Sequence, residues 1–250
     1  MVMTREVEYR ADDLTMIAHL ALPDGTDQRP AVLIGHEGIG LNEYQRRRAN
    51  QLAECGYVAL AMDYHGGQWF SDPEQMMARL GPLLADPDRV RAIGRAALRE
   101  LLAEPRADAA RLAAVGYGAG GTIALELARD GVDLKAVVGV NPPLETVRPE
   151  DSVNITGHVL VCVGSEDPLV SVEQRRSFQE EMQAAGVDWQ LNIYGGAEHA
   201  FHLPPVNSDG SLSTADTHEL SVPGVGYHPA HAERAWRQLL DLLDLTFRRP

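Results

Sequence analysis

Four short segments carry side chains able to do chemistry together: HEGIGLN (36–42), GYGAGG (116–121), GSEDPLV (164–170) and GGAEHAF (195–201). His199 is a side chain whose ordinary pKa lies close to neutrality, and Asp167 is a carboxylate in the third segment. Glu37 adds another acidic group. GYGAGG has the form of a tight strand-to-helix turn that carries a serine or cysteine nucleophile in acyl-transfer enzymes, but its central residue is Gly118. Glycine has no side chain with which to attack a carbonyl carbon, so a covalent acyl intermediate at this position is excluded. The turn itself is expected to survive, because glycine adopts such backbone angles at little steric cost.

These segments can meet only if the elements between them bring them to one edge. REVEYRA (5–11) and TMIAHLALP (15–23) alternate or run apolar as an antiparallel opening would, and PAVLIGH (30–36) and YVALAMD (57–63) are short apolar runs of buried-strand type. LAAVGY (112–117), KAVVGV (135–140), HVLVCVG (158–164) and WQLNIYG (189–195) follow, each ending in turn formers. Helical spacing is present at 43–55, at 88–104 with Val90, Ile93, Ala97 and Leu101 on one face, at 122–131 ending at Gly131, and at 230–247. A further helix at 171–186 opens on a capping box formed by Ser171 and Gln174 and stops at Gly186. Strands alternating with helices predict a mostly parallel twisted sheet covered by helices on both faces, as one domain over 1–250. Ligands bind at the C-terminal edge of the strands in such a sheet, and all four chemical segments fall there.

Composition narrows the function. With 22 basic against 36 acidic residues the formal charge is −14, which opposes binding to nucleic acid or to an anionic membrane. No stretch reaches the length of a membrane span, and MVMTREVEYR has acidic residues where a signal peptide needs an apolar core, so a soluble cytoplasmic protein is expected. Cys55 and Cys162 lie in apolar surroundings and read as buried thiols rather than a disulfide. The histidines show no ligand spacing for zinc, and GYGAGG departs from the dinucleotide-binding glycine pattern, so neither metal nor cofactor is expected. The irregular stretch 202–229 is long for a loop in a compact domain, which points to a role at the site.

The order of the motifs, elbow then Asp167 then His199, with Glu37 and GIGLN preceding them, resembles the dienelactone hydrolase family of the α/β-hydrolase fold over essentially the whole chain. By that resemblance His199 would be the general base, Asp167 its orienting acid, Glu37 the buried carboxylate near the nucleophile, and the N–H groups of Gly38 and Ala119 the oxyanion hole. Gly118 would stand at the vacant nucleophile position. Tyr117, Tyr64, Trp69, Phe201 and His202 adjoin these motifs as candidate substrate-binding residues. Two departures accompany Gly118. Ala119 stands where the family usually has a larger apolar residue, so that the pair of small residues would enlarge the pocket, and Leu203 stands where members that bind a lactone carboxylate tend to carry arginine.

A triad without its nucleophile leaves several readings open. His199 could activate water above Gly118 for attack on a lactone or ester, or remove a proton beside a carbonyl to give an enolate that leads to cyclisation, elimination or carbon–carbon chemistry. Alternatively the chain could bind a small carbonyl compound without converting it, or be an inactivated variant of a cysteine hydrolase. Each residue also has an ordinary structural reading: His199 as a core histidine, Asp167 before Pro168 as a turn residue, Glu37 as a solvated strand end, the aromatic residues as packing. The substrate would be a small carbonyl molecule. Neither its identity nor the oligomeric state is written in the sequence.

Overall fold

Eight strands form one twisted sheet in the order β1-β2-β4-β3-β5-β6-β7-β8. In the computed structural model, which describes residues 2–207, 209–213 and 223–247, β1 (Met3–Ala11) and β2 (Leu14–Leu22) make a hairpin. Asp12 and Asp13 turn it with φ of 51° and 59°, the double left-handed geometry that matches the twist of a tight hairpin. β2 pairs antiparallel with β4 (Val58–Ala61), and β4, β3 (Arg29–Gly35), β5 (Ala107–Tyr117), β6 (Ala136–Val140), β7 (His158–Gly164) and β8 (Trp189–Tyr194) are parallel. This is the mostly parallel, helix-covered sheet expected from the alternation of elements, and it has the α/β-hydrolase form that the family resemblance implies.

Both faces of the central strands are apolar because both are covered. Alternate residues of β5 enter different clusters, Leu112 and Ala114 on one side, Ala113, Val115 and Tyr117 on the other. On the first side lie α2 (Pro73–Leu84), α3 (Pro87–Ala103), α4 (Ala119–Arg129) and α5 (Val172–Ala185), through residues such as Leu83, Ile93, Leu125 and Phe178. α1 (Glu43–Glu54) and α6 (Pro229–Phe247) cover the second through Leu52, Leu239 and Leu243. Ser171 and Gln174 form the expected capping box of α5, and Gly186 ends it at φ 70°.

Three details differ from the expectations. The sequence periodicity does not reveal α2, since Gly81 and Pro82 interrupt it; Asp72 starts the helix by accepting from the Glu74 N–H, and Leu80 and Leu83 are its buried residues. Helix α4 begins at Ala119 rather than at Thr122, because Gly118 turns the chain straight into it. Cys162 is buried, but Cys55 is exposed at the end of α1, so only one thiol matches the expected burial. Among the described residues no helix is long and apolar enough to cross a membrane.

The chain leaves β3 by α1 to reach β4 on one side, then returns across the sheet through α2 and α3 to enter β5 on the other. The strand order therefore reverses between β3 and β5, the kind of switch point at which open α/β sheets bind ligands. Glu37 follows β3 and Gly118 follows β5.

Candidate active site

The start of α4 is pressed against β3 and β5 more closely than side chains would allow. A Cβ on Gly116 would overlap the backbone of Gly120, and one on Gly35 would meet the Gly120 Cα at 2.7 Å. The Gly120 N–H donates to His36 O at 3.0 Å, tying the two strand ends together. Gly118 sits between them at φ 52° and ψ −125°, with its N–H donated to Val140 O at 2.9 Å. That left-handed φ is the reason for glycine's ease at this turn.

Glu37 fills the space beside this turn. A Cβ built on Gly118 would overlap Glu37 Oε2 and stand 3.0 Å from its Cδ. The enlarged pocket expected from two small adjacent residues is therefore corrected at Gly118: the missing side chain's volume is taken by a carboxylate from the neighbouring strand end. Glu37 is only 5% exposed. Its Oε1 lies 2.7 Å from His202 Nε2, a close polar contact off the hydrogen-bond axis, and both atoms are buried.

The β7 and β8 ends supply the base. Asp167, two residues into the turn after Ser165, takes the Leu169 N–H on Oδ1 at 2.9 Å, while Oδ2 receives His199 Nδ1 at 2.9 Å and Asn141 Nδ2 at 2.7 Å. Burial works against the Asp167 charge, but these donors outweigh it and hold its pKa below the usual carboxylate value. Because Asp167 claims the Nδ1 proton of His199, Nε2 is left with its lone pair. Burial alone would lower the His199 pKa; the Asp167 hydrogen bond and the charges of Glu37 and Asp167 reverse the sign, and the net shift is upward. The His199 backbone is fixed on both sides, its N–H donated to Gly224 O at 2.9 Å and its carbonyl accepting from the Gly226 N–H at 3.0 Å.

Asn141 went unrecognised in the sequence, where Asn-Pro-Pro after β6 reads as a plain turn. It is fully buried at φ 51° and turns its amide nitrogen to the Asp167 carboxylate, which leaves Oδ1 facing His202 Nδ1 at 3.4 Å. A single polar line therefore runs His199, Asp167, Asn141, His202, Glu37. Burial lowers the His202 pKa; the Glu37 contact opposes that without reversing it.

A second buried group fixes the loop that carries Glu37. Tyr64 stacks on His36 with ring centroids 3.7 Å apart and donates its hydroxyl toward the carbonyls of His36 and Glu37. His65 Nε2 contacts Gly38 O at 2.9 Å. Asp63 accepts the N–H groups of Ile17, His65 and Gly67 at 3.0, 2.7 and 2.6 Å. Burial disfavours that charge, yet the His36 ring and the N–H groups pull the Asp63 pKa down to about 2.

The expected substrate-binding residues divide by burial. Tyr64 and Phe201 are fully enclosed and hold the loops from behind, Phe201 packing on Tyr194 and His231. Tyr117 is buried under the site between Tyr44 and His202. Trp69 is half-buried, 3.5 Å from where side chains on Gly40 and Gly210 would begin. Leu203 is buried. Of the stretch 202–229, Leu212 and Gly210 bond to Glu43 at the start of α1, and Val225 pairs with His199; residues 208 and 214–222 lie outside the described residues.

Gly38 and Ala119 flank this arrangement. Among the described residues no protein acceptor takes the N–H of either, Gly38 standing after β3 and Ala119 in the first turn of α4.

Comparison with known proteins agrees with the fold. The sequence pattern of the dienelactone hydrolase family matches residues 16–247. A Bradyrhizobium protein named as a probable 2-oxo-3-(5-oxofuran-2-ylidene)propanoate lactonase is 34% identical over 208 residues, 78% of this chain and 83% of its own length. A solved structure designated m3DLH is 40% identical with a TM-score of 0.89, covering 98% of this chain and 99% of that one. Another, a dienelactone hydrolase-like promiscuous phosphotriesterase from metagenomic libraries, is 31% identical with a TM-score of 0.88 and covers 98% of both chains.

Proposed function

Since this chain belongs to the dienelactone hydrolase family, we propose that it hydrolyses a small lactone or ester by direct attack of water, without a covalent intermediate at position 118. His199 is the general base, Asp167 fixes its tautomer, and the N–H groups of Gly38 and Ala119 receive the oxyanion. One observation supports this reading above the rest: His199 and Asp167 are paired at 2.9 Å although the elbow residue, Gly118, has no side chain.

Base catalysis alone is worth about 10² to 10⁴-fold, and an oxyanion hole adds about 10²-fold or more, so useful rates survive loss of the nucleophile. The name of the Bradyrhizobium relative supports a lactone as the first substrate class to test. Leu203, apolar and buried where an arginine would pair with a substrate carboxylate in the family, favours an uncharged compound at that end.

The test is product formation by the protein and by His199→Ala on lactones, esters and enolisable ketones, with mass spectrometry of the protein during turnover. The expected result is ring-opened or cleaved product, lost in His199→Ala, with no adduct on the parent. Rearranged or cyclised product would place the base on a carbon acid instead, and binding without conversion would make the site a receptor.

A further inference from the structure

The reaction needs a nucleophilic water, and something must hold that water where a serine or cysteine would have been. Glu37 is the group that stands there. Its Oε2 invades the volume a side chain on Gly118 would fill, while the rest of the side chain is buried and Oε1 is pinned against His202 Nε2 at 2.7 Å. Tyr64 holds its carbonyl from below through a hydroxyl 3.0 Å away. We infer that the Glu37 carboxylate, standing where the absent side chain would be, anchors the attacking water beside it and presents that water to His199. This rests on the hydrolytic reading above.

In the step that follows, one O–H of the water donates to Glu37 Oε2 and stays intact, about 2.7 Å away. The other proton passes to His199 Nε2 as the water oxygen bonds to the carbonyl carbon, and the carbonyl electron pair moves to an oxyanion held by the N–H groups of Gly38 and Ala119. Collapse breaks the bond to the leaving oxygen, which takes the proton back from His199. Glu37 ends as it began. Attack by Glu37 itself is disfavoured, since it would convert an ester into a more reactive mixed anhydride and so run uphill.

The charge of Glu37 also acts on the base. The groups facing His199 are Asp167 from the β7 end, Glu37 from the β3 end and His202 from its own segment, with Arg48 of α1 acting on His202 in turn. Both carboxylates raise the His199 pKa, so neutralising Glu37 must lower it.

The experiment measures kcat and kcat/KM against pH for the parent, Glu37→Gln, Glu37→Asp and His199→Ala, with 4-nitrophenyl acetate and the enol lactone α-angelica lactone as probes. Glu37→Gln is expected to lose about 10²-fold in kcat through misplaced water, with the acid limb of kcat/KM displaced to lower pH. Glu37→Asp keeps the charge, so its limb stays in place, while its shorter reach still lowers kcat; it also serves if the glutamine variant fails to fold. An unmoved limb in folded Glu37→Gln, or a kcat within about twofold of the parent, overturns the role of Glu37 and leaves the His199 base standing. Heavy oxygen from labelled water found in the Glu37 carboxylate after repeated turnover overturns it as well, by making Glu37 the nucleophile. A parent no faster than His199→Ala on every probe overturns the hydrolytic reading itself, and this inference with it.

Discussion

Glu37 Oε2 occupies the volume into which any side chain on Gly118 would project. The two residues come from the ends of adjacent parallel strands at the point where strand order reverses, so neither can move without the other responding. Gly118→Ala should cost about 1–3 kcal/mol through its φ of 52° and the overlap with the carboxylate. Glu37→Ala in the same chain should recover about 1 kcal/mol of that. Thermal or urea unfolding of the two single variants and the double variant measures the coupling, and purely additive values would contradict the overlap.

The same relationship sets what a restored nucleophile would meet. Gly118→Cys places a thiol beside His199 only if Glu37 rotates away. The expected outcome is an acyl adduct on the new thiol with 4-nitrophenyl acetate, appearing as a burst, and its absence from the parent under the same conditions. Intact-mass spectrometry at early times reads both. An adduct on the parent would contradict direct attack by water.

The upward shift of the His199 pKa has a definite sign in a rate profile. A base works only when neutral, so activity should fall on the acid side with a limb above the ordinary histidine value of about 6.5. Asp167→Asn removes a charged acceptor and should move the limb down while reducing kcat by as much as about 10⁴-fold, since the ring is no longer held in the useful tautomer. The pH dependence of kcat/KM for the two proteins checks both effects.

Much of this site was readable from spacing, for a physical reason. Strand ends of a parallel sheet gather at one edge, so motifs that follow β3, β5, β7 and β8 must meet there. That logic gathers the segments holding Glu37, Gly118, Asp167 and His199, and the family resemblance singles those residues out within them. Asn141 is found by neither, because its role depends on where a buried amide points after a left-handed turn and not on any periodicity. Nor could spacing show that Glu37 fills the gap at Gly118, which is a matter of side-chain direction between two strands. Helix α2 was missed because Gly81 and Pro82 outweigh, in a local reading, the contacts that Leu80 and Leu83 make with the core.

Asp63 ties the site to acid stability. Its folded pKa of about 2 lies below the unfolded value of about 3.9. The carboxylate therefore contributes stability that is complete above the unfolded value and is lost as pH falls toward about 2, on the order of 2 kcal/mol for this nearly fully buried group. Asp63→Asn should be less stable than the parent at pH 7 and should show a shallower loss between about pH 4 and 2. Denaturant midpoints across that range measure it, and parallel curves for the two proteins would contradict the assignment.

Asn141 offers a way to separate backbone strain from polar contacts. Its φ of 51° is tolerated by asparagine and by glycine but strains alanine. Its side chain joins Asp167, at 2.7 Å, to His202, at 3.4 Å, and so connects the base to the carboxylate at Gly118. Asn141→Gly keeps the turn and removes only the amide, which leaves Asp167 one donor short. The loss in kcat is expected to be about tenfold with little change in KM, and the His199 limb should rise slightly because a less satisfied Asp167 holds its proton donor more strongly. Asn141→Ala should add about 1 kcal/mol or more of destabilisation from the strained backbone. If the two variants unfold alike, the left-handed turn carries no strain, and if Asn141→Gly retains full kcat, the line from His199 to Glu37 does not pass through this amide.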